Sequence, residues 1–181
     1  TQGVSSAASD VYKRQPNIIL MKEFAKTRII TIFVANKTMK MEIEIENHPL
    51  QPFLPVKAQL LMLGSFPPQK KRWSMDFYYP NLNNDMWRIT GILFFNNKDY
   101  FLNESKKAFC RERIIDFLNE KGIALFDTAS AIRRLQDNAS DKFLEVVQPT
   151  DIRALLLQLP ECKAIVTTGQ KATDTLRTQF S

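Results

Sequence analysis

The chain reads as an α/β domain built on a short, mainly parallel sheet. Three observations predict this. Short apolar runs end in polar or Gly/Pro residues, helical segments lie between them, and the two kinds alternate along the chain. Buried parallel strands read as such runs because both of their faces are covered. Strand–helix–strand alternation implies parallel pairing through right-handed crossovers.

Each element has its own reason. Leu60–Leu63 is an apolar run stopped by Gly64, Ser65, Phe66, Pro67 and Pro68, and reads as the first strand. From Asn83 to Phe95, Met86, Trp87, Ile89, Ile92 and Leu93 recur near helical spacing, with Asn83 or Asn84 as the cap. Lys106 to Lys121 is amphipathic, with Phe109, Ile114, Phe117 and Leu118 on one face and Gly122 as its stop. Residues 122–127 form the second strand. Asp151 caps a helix that Pro160 ends. Residues 163–169 are the third strand, followed by a helix from Gln170 to Gln179. The last helix runs almost to Ser181 with no closing strand, so the expectation is a domain incomplete at its C-terminus.

Charge separates two regions. The chain has 181 residues and a net charge of +6. Residues 1–40 carry net +5, which leaves net +1 for 41–181. The basic balance therefore says little about the domain, and only local patches count toward nucleic-acid binding. Thr1 to Gln15 is polar, lacks a period and resembles translated adapter sequence. The expected organisation is a non-native or disordered extension over 1–40, with the natural start near Met39 or Met41, and one domain over 41–181.

Several function classes are excluded. No apolar run approaches the ~18 residues of a membrane span. Cys110 and Cys162 fit no metal spacing and are too few for an iron–sulfur cluster. They read as reduced thiols of a cytoplasmic protein. His48 is the single histidine, and neither a zinc site nor a Ser-His-Asp triad is expected around it. No Gly-rich phosphate loop is present.

Chemistry concentrates between Leu60 and Trp87. A strand that stops at a Gly/Pro turn delivers the next residues to the carboxyl edge of the sheet, where open α/β sheets bind ligands. There stand Gly64, Ser65, Phe66 and Pro67, then basic Lys70, Lys71 and Arg72, then Phe77, Tyr78 and Tyr79, then Asn81, Asn83, Asn84 and Trp87. Taken singly, the aromatics suit a core, the basic run a solvated loop and Asn84 a helix cap.

The order and spacing of these residues resemble the uracil-DNA glycosylase superfamily, and most closely its hypoxanthine-DNA glycosylase branch. MLGSFPP at 62–68 resembles the family's first motif, and FYYPNLNNDMW at 77–87 the segment that follows it. GIALFDTASAIRR at 122–134 resembles the second strand and its continuation, through Asp127 and Arg133. IVTTGQKA at 165–172 resembles a later strand and turn. The resemblance spans roughly residues 47–177. It implies a three-layer α/β/α fold with a short, mainly parallel central sheet whose last strand is missing.

It also implies a monofunctional enzyme of DNA repair that needs no cofactor or metal. The expected partner is DNA containing a deaminated base, hypoxanthine or uracil, bound by a monomer. Asn84 is the implied catalytic residue, since Phe66 occupies the place where many relatives carry Asp or Asn. Gly64, Ser65, Phe66, Pro67 and Tyr79 are the implied base-binding residues, and Lys70, Lys71 and Arg72 the implied DNA contacts. Asn81 and Leu82 replace a His-Pro pair common in that branch, and the Pro-Ser-type loop of the last motif is absent. A non-catalytic nucleic-acid-binding module on the same fold is the alternative.

Overall fold

A computed structural model describes residues 43–136 and 140–180. The expected extension over 1–40 lies outside the described residues. Ten elements follow in order: β1 (Ile45–Asn47), β2 (Leu60–Gly64), α1 (Met86–Phe95), α2 (Arg111–Lys121), β3 (Ile123–Asp127), β4 (Ala129–Arg134), β5 (Leu144–Pro149), α3 (Ile152–Leu157), β6 (Ala164–Thr167) and α4 (Gln170–Arg177).

The three expected strands pair in parallel, in the order β3-β2-β6. Gly64 lies opposite Asp127, and Leu63 opposite Thr167, so the three carboxyl ends finish level with one another. Leu61 and Leu63 are fully buried, as is almost all of β3. Burying a side chain of that size contributes about 1.5–3 kcal/mol. Ile114, Phe117 and Leu118 of α2 join the same core, and Gly122 ends that helix in the left-handed conformation at φ 63°. The result is the expected mixed α/β fold with a parallel sheet.

A second sheet was not foreseen. β4 pairs antiparallel with both β1 and β5, in the order β1-β4-β5. Ala129–Arg134 has few of the β-branched and aromatic residues that announce a strand, and β1 is three residues long. Thr128 makes the passage from β3 to β4. It is fully buried, and both its N–H and its hydroxyl donate to the Gly64 carbonyl, at 2.8 and 3.1 Å.

Two helices differ from expectation. Residues 106–110 precede α2, which begins only at Arg111. Helix α1 buries Trp87, Thr90 and Gly91, while Ile89, Ile92, Leu93 and Phe94 are half or more exposed. Trp87 fixes the inward face, because its ring packs on Phe101 and its indole N–H donates to the Tyr78 carbonyl at 3.0 Å. The run of large apolar residues therefore does not mark the buried face. Among the described residues β6 pairs with β2 alone, and Val166 is 42% exposed.

Candidate active site

A cleft of about 280 Å³ opens at the carboxyl end of the parallel sheet. That is close to the lower end of small-molecule sites, about 300 Å³. The Gly64–Pro68 turn supplies one side, Tyr79 to Met86 another, and Asp127, Arg134, Asp141, Thr168 and Gly169 the remainder. All five implied base-binding residues line it, and so does Asn84.

Gly64 is required by its neighbour. A Cβ on this residue would lie 2.2 Å from Asp127 Oδ1, so only glycine lets the carboxylate occupy the floor. Asp127 is fixed from behind by His48, whose Nε2 donates to Oδ2 at 2.9 Å. The far side of the His48 ring is held at Leu50, with Nδ1 2.8 Å from the carbonyl oxygen and 3.2 Å from the N–H. Phe66 and Phe126 pack around the imidazole, with ring centroids at 5.2 and 4.7 Å. His48 and the Asp at the end of a strand were each visible in the sequence; their meeting was not.

Asp141 opens the 3₁₀ turn Asp141–Phe143 and faces the same cleft. Burial raises its pKa above the ordinary value, and the Asp127 charge adds to the shift, while the neighbouring Ser65 hydroxyl, Lys171 and Arg134 act in the opposite direction. Sequence reasoning missed this residue, which follows a polar segment of no recognisable period.

Tyr79 adopts the left-handed backbone conformation at φ 51°, uncommon for a non-glycine residue. Its ring meets Trp87 edge-on at 6.0 Å and its hydroxyl lies 3.0 Å from Thr168 Oγ1. Burial, with the Asp127 charge, keeps this phenol protonated well above its ordinary pKa. Tyr78 is buried, and its hydroxyl donates to the Gln51 carbonyl. Of the aromatic pair, Tyr79 therefore faces the cleft and Tyr78 belongs to the core. Phe66 is only 8% exposed and packs with Ala129, Ile132 and Leu144, so little of its ring reaches the cleft.

Asn84 is exposed at the cleft mouth, two residues before α1. Its Oδ1 accepts the Met86 N–H at 2.8 Å. It thus caps the helix as expected, although the formal cap position falls on Asp85, whose side chain makes no capping bond. That bond fixes which end of the Asn84 amide faces the helix.

The basic run lies beside the cleft. Lys70–Arg72 forms an exposed 3₁₀ turn, and Lys70 lines an adjoining groove that shares Phe66, Pro67 and Pro68 with the cleft. The Lys70 ammonium pairs with Asp76 at 2.6 Å and lies 3.8 Å from the Trp73 ring centroid. Of the two arginines that end β4, Arg133 faces outward to Glu145 at 3.6 Å and Arg134 lines the cleft. Successive strand residues point to opposite faces, so a shift of one position exchanges the roles. Arg134 reaches Glu46 through Nε and Nη2, both at 2.9 Å, and Nη2 also donates to the Pro67 carbonyl. It thereby ties the turn to β1.

Among the described residues no group of three or more His, Cys, Asp or Glu converges to hold a metal ion. No described helix is long and apolar enough to cross a membrane. Both cysteines are free.

This arrangement defines an α/β domain with a compact acidic and aromatic cleft at the sheet's carboxyl edge. No family model matches the chain, and no curated protein sequence matches it either. A solution NMR structure of a protein from Methanosarcina acetivorans, described as a candidate uracil DNA glycosylase, shares the fold. The TM-score is 0.54 at 22% identity, covering 76% of this chain and 78% of that one. At that identity the likeness concerns the fold.

Proposed function

We propose that this chain is a monofunctional DNA glycosylase that hydrolyses the N-glycosidic bond of a deaminated base, hypoxanthine or uracil, flipped out of DNA. The observation that carries the proposal is the convergence of the Gly64–Pro67 turn, Tyr79, Asn84 and Asp127 on one cleft. A cleft this small admits a single base and excludes a duplex, so the base must leave the stack to enter.

The roles follow from the chemistry. Tyr79 offers an aromatic face to the base, an interaction worth about 1–3 kcal/mol. Asp127 can accept a hydrogen bond from a ring N–H. Backbone N–H groups of the Gly64–Phe66 turn stabilise charge on the departing base. Asn84 holds a water toward the anomeric carbon. Its Oδ1 already accepts one bond, so it orients the water and removes its proton only weakly. As the glycosidic bond breaks, its electron pair goes to the base. The Asp127 carboxylate supplies a negative field beside the developing oxocarbenium. Among the described residues no lysine lines the cleft, which favours simple hydrolysis over Schiff-base chemistry. Lys70, Lys71 and Arg72 would contact phosphates on the adjoining surface and make binding salt-dependent.

The test uses duplexes carrying uracil, hypoxanthine or xanthine, with abasic sites revealed by hot alkali. Alkali-dependent cleavage is the expected result. Strand breaks without alkali would mean a lyase, and no abasic sites from any of the three would end the glycosylase reading.

A further inference from the structure

We propose that Thr168 is a positioning residue: its hydroxyl latches the tip of the Tyr79 ring and so holds the face on which the flipped base stacks. The inference deepens the glycosylase reading and rests on it for the flipped base. Base binding itself is measurable without catalysis.

Tyr79 needs holding. Its backbone is left-handed at φ 51°, an outlier for a bulky side chain, and Pro80 follows it. Such a conformation persists only where its surroundings over-determine it. Ser74 fixes the chain just beyond the ring, because its N–H and its hydroxyl both donate to the Pro80 carbonyl, at 2.9 and 2.7 Å. Trp87 and Thr168 hold the ring itself. Trp87 is buried and meets it at an interplanar angle of 81°, and Thr168 Oγ1 lies 3.0 Å from its hydroxyl. The two contacts restrain different motions. A tyrosine hydroxyl lies on the Cβ–Cγ axis, so rotation of the ring about that axis leaves it in place. The Thr168 bond therefore sets where the ring points, and Trp87 limits how it rotates.

The sheet places Thr168 for this role. It follows β6 directly, and its N–H donates to the Leu63 carbonyl at 3.0 Å. That backbone bond needs no help from the side chain. The Thr168 hydroxyl donates to the same carbonyl at 3.4 Å, which leaves its lone pairs to accept the Tyr79 O–H. The ring is thereby anchored to the Leu63–Gly64 peptide, where the turn that lines the cleft begins. The Tyr79 hydroxyl lies 3.3 Å from the point a Gly64 Cβ would occupy. The latch thus fixes the aromatic wall relative to the turn, across 89 residues of sequence. A wall that stacks equally on the base before and during bond cleavage contributes uniform binding. Its misplacement raises KM and leaves kcat.

The experiment is a double-mutant cycle of Tyr79→Phe and Thr168→Val, with Thr168→Ser as the conservative variant. Tyr79→Phe keeps the ring and Thr168→Val keeps the shape, and each removes the latch. Thermal unfolding verifies that every variant is folded. Calorimetry measures binding of free hypoxanthine and uracil, and steady-state kinetics on duplexes carrying either base gives KM and kcat. Each single variant should weaken base binding about fivefold, the scale of one hydrogen bond. The double variant should be no weaker than either single one, because both remove the same bond. Thr168→Ser should recover most of the affinity, and on duplexes the loss should appear in KM. Additive losses would overturn the proposal, since the Tyr79 hydroxyl and Thr168 would then act on the base separately. So would single-variant affinities within about twofold of wild type, no recovery in Thr168→Ser, a loss confined to kcat, or a wild type that binds neither base. A coupled loss of base binding without base release in duplexes would remove the glycosylase reading and leave this one. Base release with additive losses would do the reverse.

Discussion

His48 Nε2 lies 2.9 Å from Asp127 Oδ2, and the two side chains are only 4% and 7% exposed. The pair joins the entry segment to the end of β3 and sets the carboxylate under the cleft. Removing one member of such a pair leaves a buried charge unpaired, which costs about 3–5 kcal/mol. His48→Ala should therefore lose about that much unfolding free energy in urea. His48→Gln, which restores an N–H donor, should recover part of it. A loss below about 1 kcal/mol for His48→Ala would mean that the carboxylate is held by other groups.

His48 also shows how far the sequence could be read. The parallel sheet was legible because β2, β3 and β6 are apolar runs with clear stops. The turn and Asn84 were legible because a Gly/Pro stop must deliver the following residues to the sheet edge. His48 and Asp127 are 79 residues apart, and nothing local announces their meeting. Asp141 was missed for the same reason, since it joins the cleft lining from a segment far along the chain from the Gly64–Pro68 turn. Arg134 was not singled out as a cleft residue, because β4 carries too little hydrophobic contrast to reveal which of its residues face inward.

Gly64 and Asp127 cannot both be kept if the glycine acquires a side chain. The added methyl of Gly64→Ala would lie 2.2 Å from Oδ1, so the carboxylate must swing away or β2 and β3 must separate. Overpacking of this kind costs about 1–3 kcal/mol. The variant should fold with reduced stability and lose base release by more than its stability loss explains. A variant of wild-type stability and activity would show that Asp127 needs no fixed place.

Arg133 and Arg134 should separate cleanly. The Arg133–Glu145 pair spans 3.6 Å with both side chains more than a third exposed, so Arg133→Ala should change stability by less than about 1 kcal/mol. Arg134 is 5% exposed and doubly bonded to Glu46. Glu46→Ala should cost several times more than Arg133→Ala, because it leaves the buried guanidinium without its carboxylate. Chemical denaturation of the two variants decides. Equal effects would mean that the inward arginine has been misassigned.

Asn84 and Tyr79 should fail in different ways. Asn84→Ala should lower base release by about 10²-fold or more while duplex binding persists. It should also cost on the order of 1 kcal/mol in stability, because the Met86 N–H loses its acceptor. Tyr79→Ala should weaken discrimination for the damaged base more than general DNA affinity. Single-turnover rates beside equilibrium binding separate the two. An Asn84→Ala variant that cleaves at near wild-type rate would end its catalytic assignment.

The Asp141 carboxyl makes stability depend on pH. In the folded state its pKa is raised above the ordinary 3.8, chiefly by burial. Below that ordinary value both folded and unfolded chains hold the proton, and the residue contributes no pH dependence. As pH rises, the unfolded carboxyl ionises first. The folded chain then either keeps an unfavourable proton or carries a poorly solvated charge, so wild type loses stability until pH passes the folded value. Asp141→Asn has no proton to lose. It should be more stable than wild type at neutral pH, and the gain should shrink toward zero in acid. Urea unfolding of both proteins across that range measures the difference. A gain that grows in acid would require a lowered Asp141 pKa, the opposite of what burial imposes.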